Sequence, residues 1–118
     1  MVLQTEGLGK QPFHGRIVLL IDEFSHSAAE MVAAFAKENQ LAVLVGNRTA
    51  GEVLGGANFR VGNGYYLRMP IAGWYTWQGP CIEGTGVSPD VAVDIDMATL
   101  VRGEDVQIEK AIQTVATL

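Results

Sequence analysis

Two stretches of the chain are unbroken apolar runs rich in branched side chains, Ile17-Val18-Leu19-Leu20-Ile21 and Leu41-Ala42-Val43-Leu44-Val45. That pattern suits strands covered on both faces in a parallel sheet flanked by helices. Between them Ala28, Met31, Val32 and Phe35 recur at helical spacing, while Glu30 and Lys37 are free to point to water. The order is therefore strand, helix, strand, a unit whose crossover is right-handed. Asp22 and Glu23 close the first strand, and Asn39-Gln40 closes the helix.

Farther along, Ala57 to Val61 and Tyr65 to Pro70 read as a hairpin around Gly62-Asn63-Gly64, residues that tolerate positive φ. Val91-Ala92-Val93 reads as a short strand. Glu104 to Leu118 reads as a last helix, with Val106, Ile108, Ile112 and Val115 near helical spacing and Glu104 and Asp105 at its positive end. The loop Gly46 to Gly56 is glycine-rich but is no phosphate loop, because no Gly-Lys-Ser/Thr ends it and no helical pattern follows. Its glycines suit close backbone approach in a flexible or substrate-binding loop. Gly73-Trp74-Tyr75-Thr76-Trp77 is an aromatic cluster without interleaved basic residues, which excludes a nucleic-acid platform. Packing in the core or on the hairpin is its ordinary use, and a wall of a peptide cleft is the other.

Residues 1–15 carry little periodicity and read as a lead-in or a start added by cloning; residues 16–118 read as the folded part. A buried parallel strand needs neighbours on both sides. None precedes Ile17 in the pattern, so the expectation is an incomplete domain, the later part of something larger.

Composition narrows the classes. The chain has 118 residues, 48% of them hydrophobic, enough for one domain with a real core. Its formal charge of −5 and the lack of a basic cluster argue against nucleic acid or an anionic membrane as partner. The longest apolar run is far short of the roughly 20 residues that span a bilayer. Met1 to Gln11 has neither the basic nor the apolar region of a secretory signal. The lone Cys81 has no thiol partner for a disulfide or a metal, and is expected as a half-buried structural thiol.

The candidate chemistry lies in the turn Phe24-Ser25-His26-Ser27, between the first strand and its helix. Ser27 and Glu30 form the S-x-x-E pattern of a capping box. Ser27 equally stands where free N–H groups at a helix N-terminus would stabilise developing negative charge, outside the carboxyl end of a parallel strand. A cap and a nucleophile are compatible. His26 adjoins Ser27 too closely in sequence to serve it as a base, and His14 precedes the strand and falls at its opposite end.

Four stretches taken in order resemble the S41 serine peptidases, the C-terminal processing (tail-specific) proteases and the tricorn-like enzymes. They are Phe24-Ser25-His26-Ser27-Ala28-Ala29-Glu30, Val45-Gly46-Asn47-Arg48-Thr49-Ala50-Gly51, the strand pair ending near Pro70, and Ile82-Glu83-Gly84-Thr85-Gly86-Val87-Ser88-Pro89-Asp90. The tail Asp105 to Ala111 is similar to that family's closing helix. The resemblance implies an α/β fold with a ClpP/crotonase-like core, a nucleophile at Ser27 and an oxyanion donor in the Ala28 N–H. It departs from the processing-protease branch, whose base lysine would fall at Glu52; a carboxylate is a poor base toward a hydroxyl. The tricorn-like branch uses serine, histidine and glutamate, which makes Glu83 the candidate glutamate and leaves the histidine to an upstream part of the protein. The implied function is a serine endopeptidase fragment, inactive alone, acting on peptide or protein substrates. No metal or cofactor is implied. Its other partners would be the rest of the parent domain and a second copy in a homo-oligomer; its location stays open, the resemblance favouring an extracytoplasmic one over a cytoplasmic one. The alternatives are a non-catalytic ligand- or peptide-binding module on the same fold, and a structural half-domain that pairs through its first strand.

Overall fold

A computed structural model describes residues 13–118; residues 1–12, most of the expected lead-in, lie outside that range. Strand β1 (Val18–Ile21) leads through a turn to helix α1 (Ala28–Glu38), and then to β2 (Val43–Gly46). A hairpin follows, β3 (Gly55–Gly62) and β4 (Tyr65–Ala72), then β5 (Val91–Ala92), the short helix α2 (Met97–Leu100) and helix α3 (Val106–Thr117). β1 and β5 both pair parallel to β2, giving the order β1-β2-β5, with Val18 opposite Val43 and Val45 opposite Val91. The strand-helix-strand reading, the hairpin and the final helix are all present. Helix α2 was not anticipated from the sequence pattern.

The core is small and centres on the sheet: Ile21, Leu44, Val53, Ile82 and Val87 pack with Ala33 and Ala34 of α1. Full burial of a Val or Leu contributes about 1.5–3 kcal/mol. Helix α3 packs against β1 and β2, and the buried Gln107 donates from Nε2 to Val93 O at 2.8 Å. Asp90 fastens the entry of β5 to β2. Its N–H donates to Leu44 O, while its carboxylate accepts from the Leu44 N–H at 2.9 Å and pairs with Lys37 Nζ at 2.8 Å.

Four expectations are corrected by this arrangement. The side of α1 that faces the sheet carries Glu30, Ala33, Ala34 and Ala36, all buried, whereas Val32 and Phe35 are each 59% exposed and Ala28 lies open. Alanines allow close approach of helix to sheet, and Glu30 is drawn inward by loop N–H groups described below. β1 is not covered on both faces, since Leu20 is exposed; β2 is its one strand neighbour among the described residues. In α3, Ile108 and Ile112 face outward. Cys81 is an exposed free thiol.

The hairpin turns on Asn63 (φ 48) and Gly64 (φ 82), the two positive φ values that a type I′ connection requires. Apolar residues pair across one face, Ala57 opposite Met69 and Phe59 opposite Leu67, while Val61 and Ile71 fall where the register shifts. That face is open, every residue of β4 being exposed. The aromatic cluster is only partly in the core. Trp74 packs against it, while Tyr75 and Trp77 are exposed.

Candidate functional site

The turn after β1 is built by short polar side chains. Asp22 Oδ1 accepts from the Phe24 N–H and the Ser25 hydroxyl, and Ser25 Oγ accepts in return from the Asp22 N–H. The chain then reverses at Ser27, which adopts φ 53 and ψ −116 before entering α1. Such a conformation in a residue with a side chain costs of order 1–3 kcal/mol and persists only where the surroundings enforce it. It is the geometry of a sharp strand-to-helix elbow, which raises a side chain clear of the backbone. Ser27 is exposed at its tip.

Glu30 enforces the elbow. Fully buried, it places its carboxylate among four donors: Thr49 Oγ1 at 2.6 Å, Gly51 N at 2.7 Å, Glu52 N at 2.9 Å and Ser27 N at 3.1 Å. The Ser27 N–H is shared, since it also donates to Glu52 O at 3.1 Å. One carboxylate thus ties the elbow to the glycine-rich loop. The serine half of the capping box is loose, the hydroxyl making no cap hydrogen bond of ordinary geometry. Burial pushes the Glu30 carboxyl up, but the four hydrogen bonds outweigh it and hold the group below its usual range. The S-x-x-E pattern marked the pair Ser27 and Glu30. Nothing local marked Thr49, Gly51 and Glu52 as the partners that draw Glu30 inward.

The loop reaches the segment around Glu83 on its other side. Glu83 Oε2 accepts from the Val53 N–H at 2.8 Å, and the Gly84 N–H donates to Gly51 O at 2.8 Å. Gly51 has φ +77, and a Cβ there would come within 2.8 Å of Gly86 N, so backbone passes backbone where only glycine fits. Thr49 adds a second bridge, its Oγ1 accepting from the Val87 N–H at 2.7 Å. Ser27 and Glu83 are therefore attached to two sides of the same short segment, Gly51 to Val53.

The other sequence candidates fall as follows. The Ala28 N–H opens the helix with no hydrogen-bond acceptor among the described residues. His26 points to Glu52, Nδ1 to Oε2 at 3.3 Å, a pair in which both side chains are half or more exposed. His14 lies ahead of β1, whereas Ser27 follows its carboxyl end. No group of three or more His, Cys, Asp and Glu side chains among the described residues is placed to hold a metal ion, and no helix among them is long and apolar enough to cross a membrane.

The family model for peptidase family S41 matches residues 3–93. The chain belongs to that family. The carboxy-terminal-processing protease of Bartonella bacilliformis is 30% identical over 92 residues, covering 78% of this chain and 21% of that protein. The tricorn protease of Thermoplasma acidophilum is 32% identical over 100 residues, covering 83% of this chain and 9% of that protein. Among solved structures, the crystal structure of the tricorn protease matches with a TM-score of 0.76 at 31% identity, over 86% of this chain and 10% of the other. The fold is accordingly an α/β, ClpP/crotonase-like S41 core. Both branches named in the sequence reading are among the relatives. The chain spans about a tenth to a fifth of their length.

Proposed function

We propose that this chain supplies the nucleophile part of an S41 serine endopeptidase. Ser27 Oγ attacks the carbonyl carbon of a peptide bond, and a histidine from outside this chain takes the hydroxyl proton. The tetrahedral oxyanion is met by the Ala28 N–H, which the helix start leaves free, together with a donor from elsewhere in the parent protein. The same histidine returns the proton to the leaving amine as the C–N bond breaks, and water then releases the acyl group from Ser27. Glu83 orients the histidine through the carboxylate oxygen not engaged by Val53. No step calls on a metal or cofactor.

The observation that carries this reading is the elbow: a serine held at φ 53 and ψ −116 on an exposed helix start by a fully buried carboxylate. A serine whose task is only to cap the helix has no need of that conformation, because caps normally lie in the β region. Glu52, whose carbonyl receives the Ser27 N–H, stands at the loop position where a base lysine would fall, and a carboxylate there is a poor base toward a hydroxyl, which favours a histidine base. Peptide or protein is the substrate. The chain alone is inactive or nearly so, and its further partners are the rest of the peptidase and a second copy of itself.

A fluorophosphonate probe, which reacts with activated serines, tests this. On the full-length parent protein the adduct is expected at Ser27 by mass spectrometry and is absent from Ser27→Ala. On the 118-residue chain labelling is expected to be at least about a hundredfold slower, the low end of what a general base contributes. A full-length protein that is not labelled at Ser27 sinks the peptidase reading and leaves a binding module on the same fold.

A further inference from the structure

Met31, Phe35 and Glu38 recur along α1 at intervals that keep them on one side of a helix with 3.6 residues per turn, and Ser27 caps its start. Met31, Phe35 and Glu38 line a cavity of about 340 Å³ whose other wall carries Trp74, Tyr75 and Trp77. The rings are open to solvent, with Phe35 59%, Tyr75 69% and Trp77 95% exposed. Thr76 is also in the lining, and its Oγ1 is buried without a hydrogen-bond partner. Glu38 takes part in no ion pair among the described residues, and the neighbouring Lys37 is engaged by Asp90.

The lining selects for one kind of occupant. A purely apolar side chain would cover the rings but would desolvate the Glu38 carboxylate without pairing it. A carboxylate would be repelled by Glu38 and by the negative faces of the rings. A cation on an apolar stem fits the lining: methylenes against Met31, charge over the aromatic faces and beside Glu38. The formal charge of −5 favours the same sign of partner.

We propose that this cleft binds an arginine or lysine side chain of a peptide. Resting on the peptidase reading, it would be a substrate subsite that selects chains with a basic residue near the cleaved bond. At 1.5 Å per residue, Met31 lies about 6 Å and Glu38 about 16 Å along the helix from Ser27. An extended peptide covers that distance in about two to five residues, which sets the position of the basic residue relative to the cleaved bond.

The test is a titration of the 118-residue chain carrying Ser27→Ala, followed by tryptophan fluorescence, with blocked alanine pentapeptides whose central residue is arginine, norleucine or glutamate. The arginine peptide is expected to saturate, with the norleucine peptide at least about five-fold weaker and the glutamate peptide without effect. Glu38→Gln is expected to erase the difference between arginine and norleucine, and Trp77→Ala, at a side chain too exposed to support the fold, to weaken both. Equal affinity for arginine and norleucine, or no saturation by any peptide up to about 10 mM, overturns the proposal. Binding needs no nucleophile, so the two readings can fail separately. Ser27 labelling without arginine selectivity removes this inference alone, whereas selectivity without labelling keeps a peptide-binding cleft for a basic side chain and removes the peptidase.

Discussion

Two residues at the elbow carry opposite burdens, one strained and one stabilising, and each makes a prediction. Ser27 holds a positive φ that glycine adopts freely. Ser27→Ala should leave stability almost unchanged, because the hydroxyl makes no cap hydrogen bond of ordinary geometry and alanine inherits the strain. Ser27→Gly should be more stable than Ser27→Ala by about 1 kcal/mol in urea unfolding, the relief of strain exceeding the added chain entropy. Equal stabilities would mean that the elbow relaxes when the serine is removed. Glu30 works the other way. Burial raises its pKa, but the hydrogen bonds from Thr49, Gly51, Glu52 and Ser27 prevail and set it below the ordinary 4.5. A carboxyl depressed in the folded state contributes stability that is complete above the unfolded pKa and is lost as pH falls through the folded one. Glu30→Gln should therefore cost about 2–4 kcal/mol at pH 7, with the gap to wild type narrowing below about pH 4.5. Asp90 is also depressed, by the Leu44 N–H and Lys37 against the opposing effect of burial, and titrates in the same direction in both proteins. The difference between the two pH profiles isolates Glu30. At this scale Ser27, Glu30 and Glu83 were visible in the sequence as motif members. The inward turn of Glu30 was not, because helical spacing ranks a glutamate as solvent-facing, and only the long-range meeting with Thr49, Gly51 and Glu52 reverses that.

Among the elements, strands and the hairpin were legible because their signals are local: unbroken branched runs for β1 and β2, and the Asn63-Gly64 turn between alternating segments for β3 and β4. Which face of α1 meets the sheet was not legible. Val32 and Phe35 outrank Ala33 and Ala36 in hydrophobicity, but the sheet admits the smaller residues at close approach and leaves the larger ones on the outer side. The same local logic that made the hairpin predictable also separates it from the body. Its hydrogen bonds are paired along both strands, yet its side chains bury little outside themselves. Local opening follows buried contact more than hydrogen-bond number. Native-state hydrogen exchange should accordingly protect the amides of Leu44 and Val45, both fully buried, by at least about a hundredfold more than those of Phe59 and Leu67. Equal protection would show that the hairpin and the parallel sheet open as one unit.

Across the described residues, apolar surface is left uncovered in several places, among them the hairpin, where Phe59, Val61, Leu67, Met69 and Ile71 are each between 46% and 64% exposed, and the outer side of α1 with Val32 and Phe35. A contiguous apolar stripe of this kind lowers solubility and offers strand edges to other chains. The open face adds little to the stability of the chain that bears it, because its side chains are wet in the folded state as in the unfolded one. The two properties should therefore separate under mutation. Leu67→Lys with Ile71→Lys, on one face of β4 and distant from Ser27 and Glu83 in sequence, should raise the concentration at which the 118-residue chain begins to associate in sedimentation velocity. It should also reduce binding of an apolar dye, with a melting temperature within a few degrees of wild type. Lysine suits an exposed strand, where its desolvation cost discourages edge pairing. A large fall in melting temperature would mean that the hairpin face is packed against the body in solution, and that the parallel sheet depends on it for its core. Unchanged association would move the responsibility to Val32 and Phe35, where Phe35→Lys discriminates further, since it opens the aromatic cleft as well as the helix face.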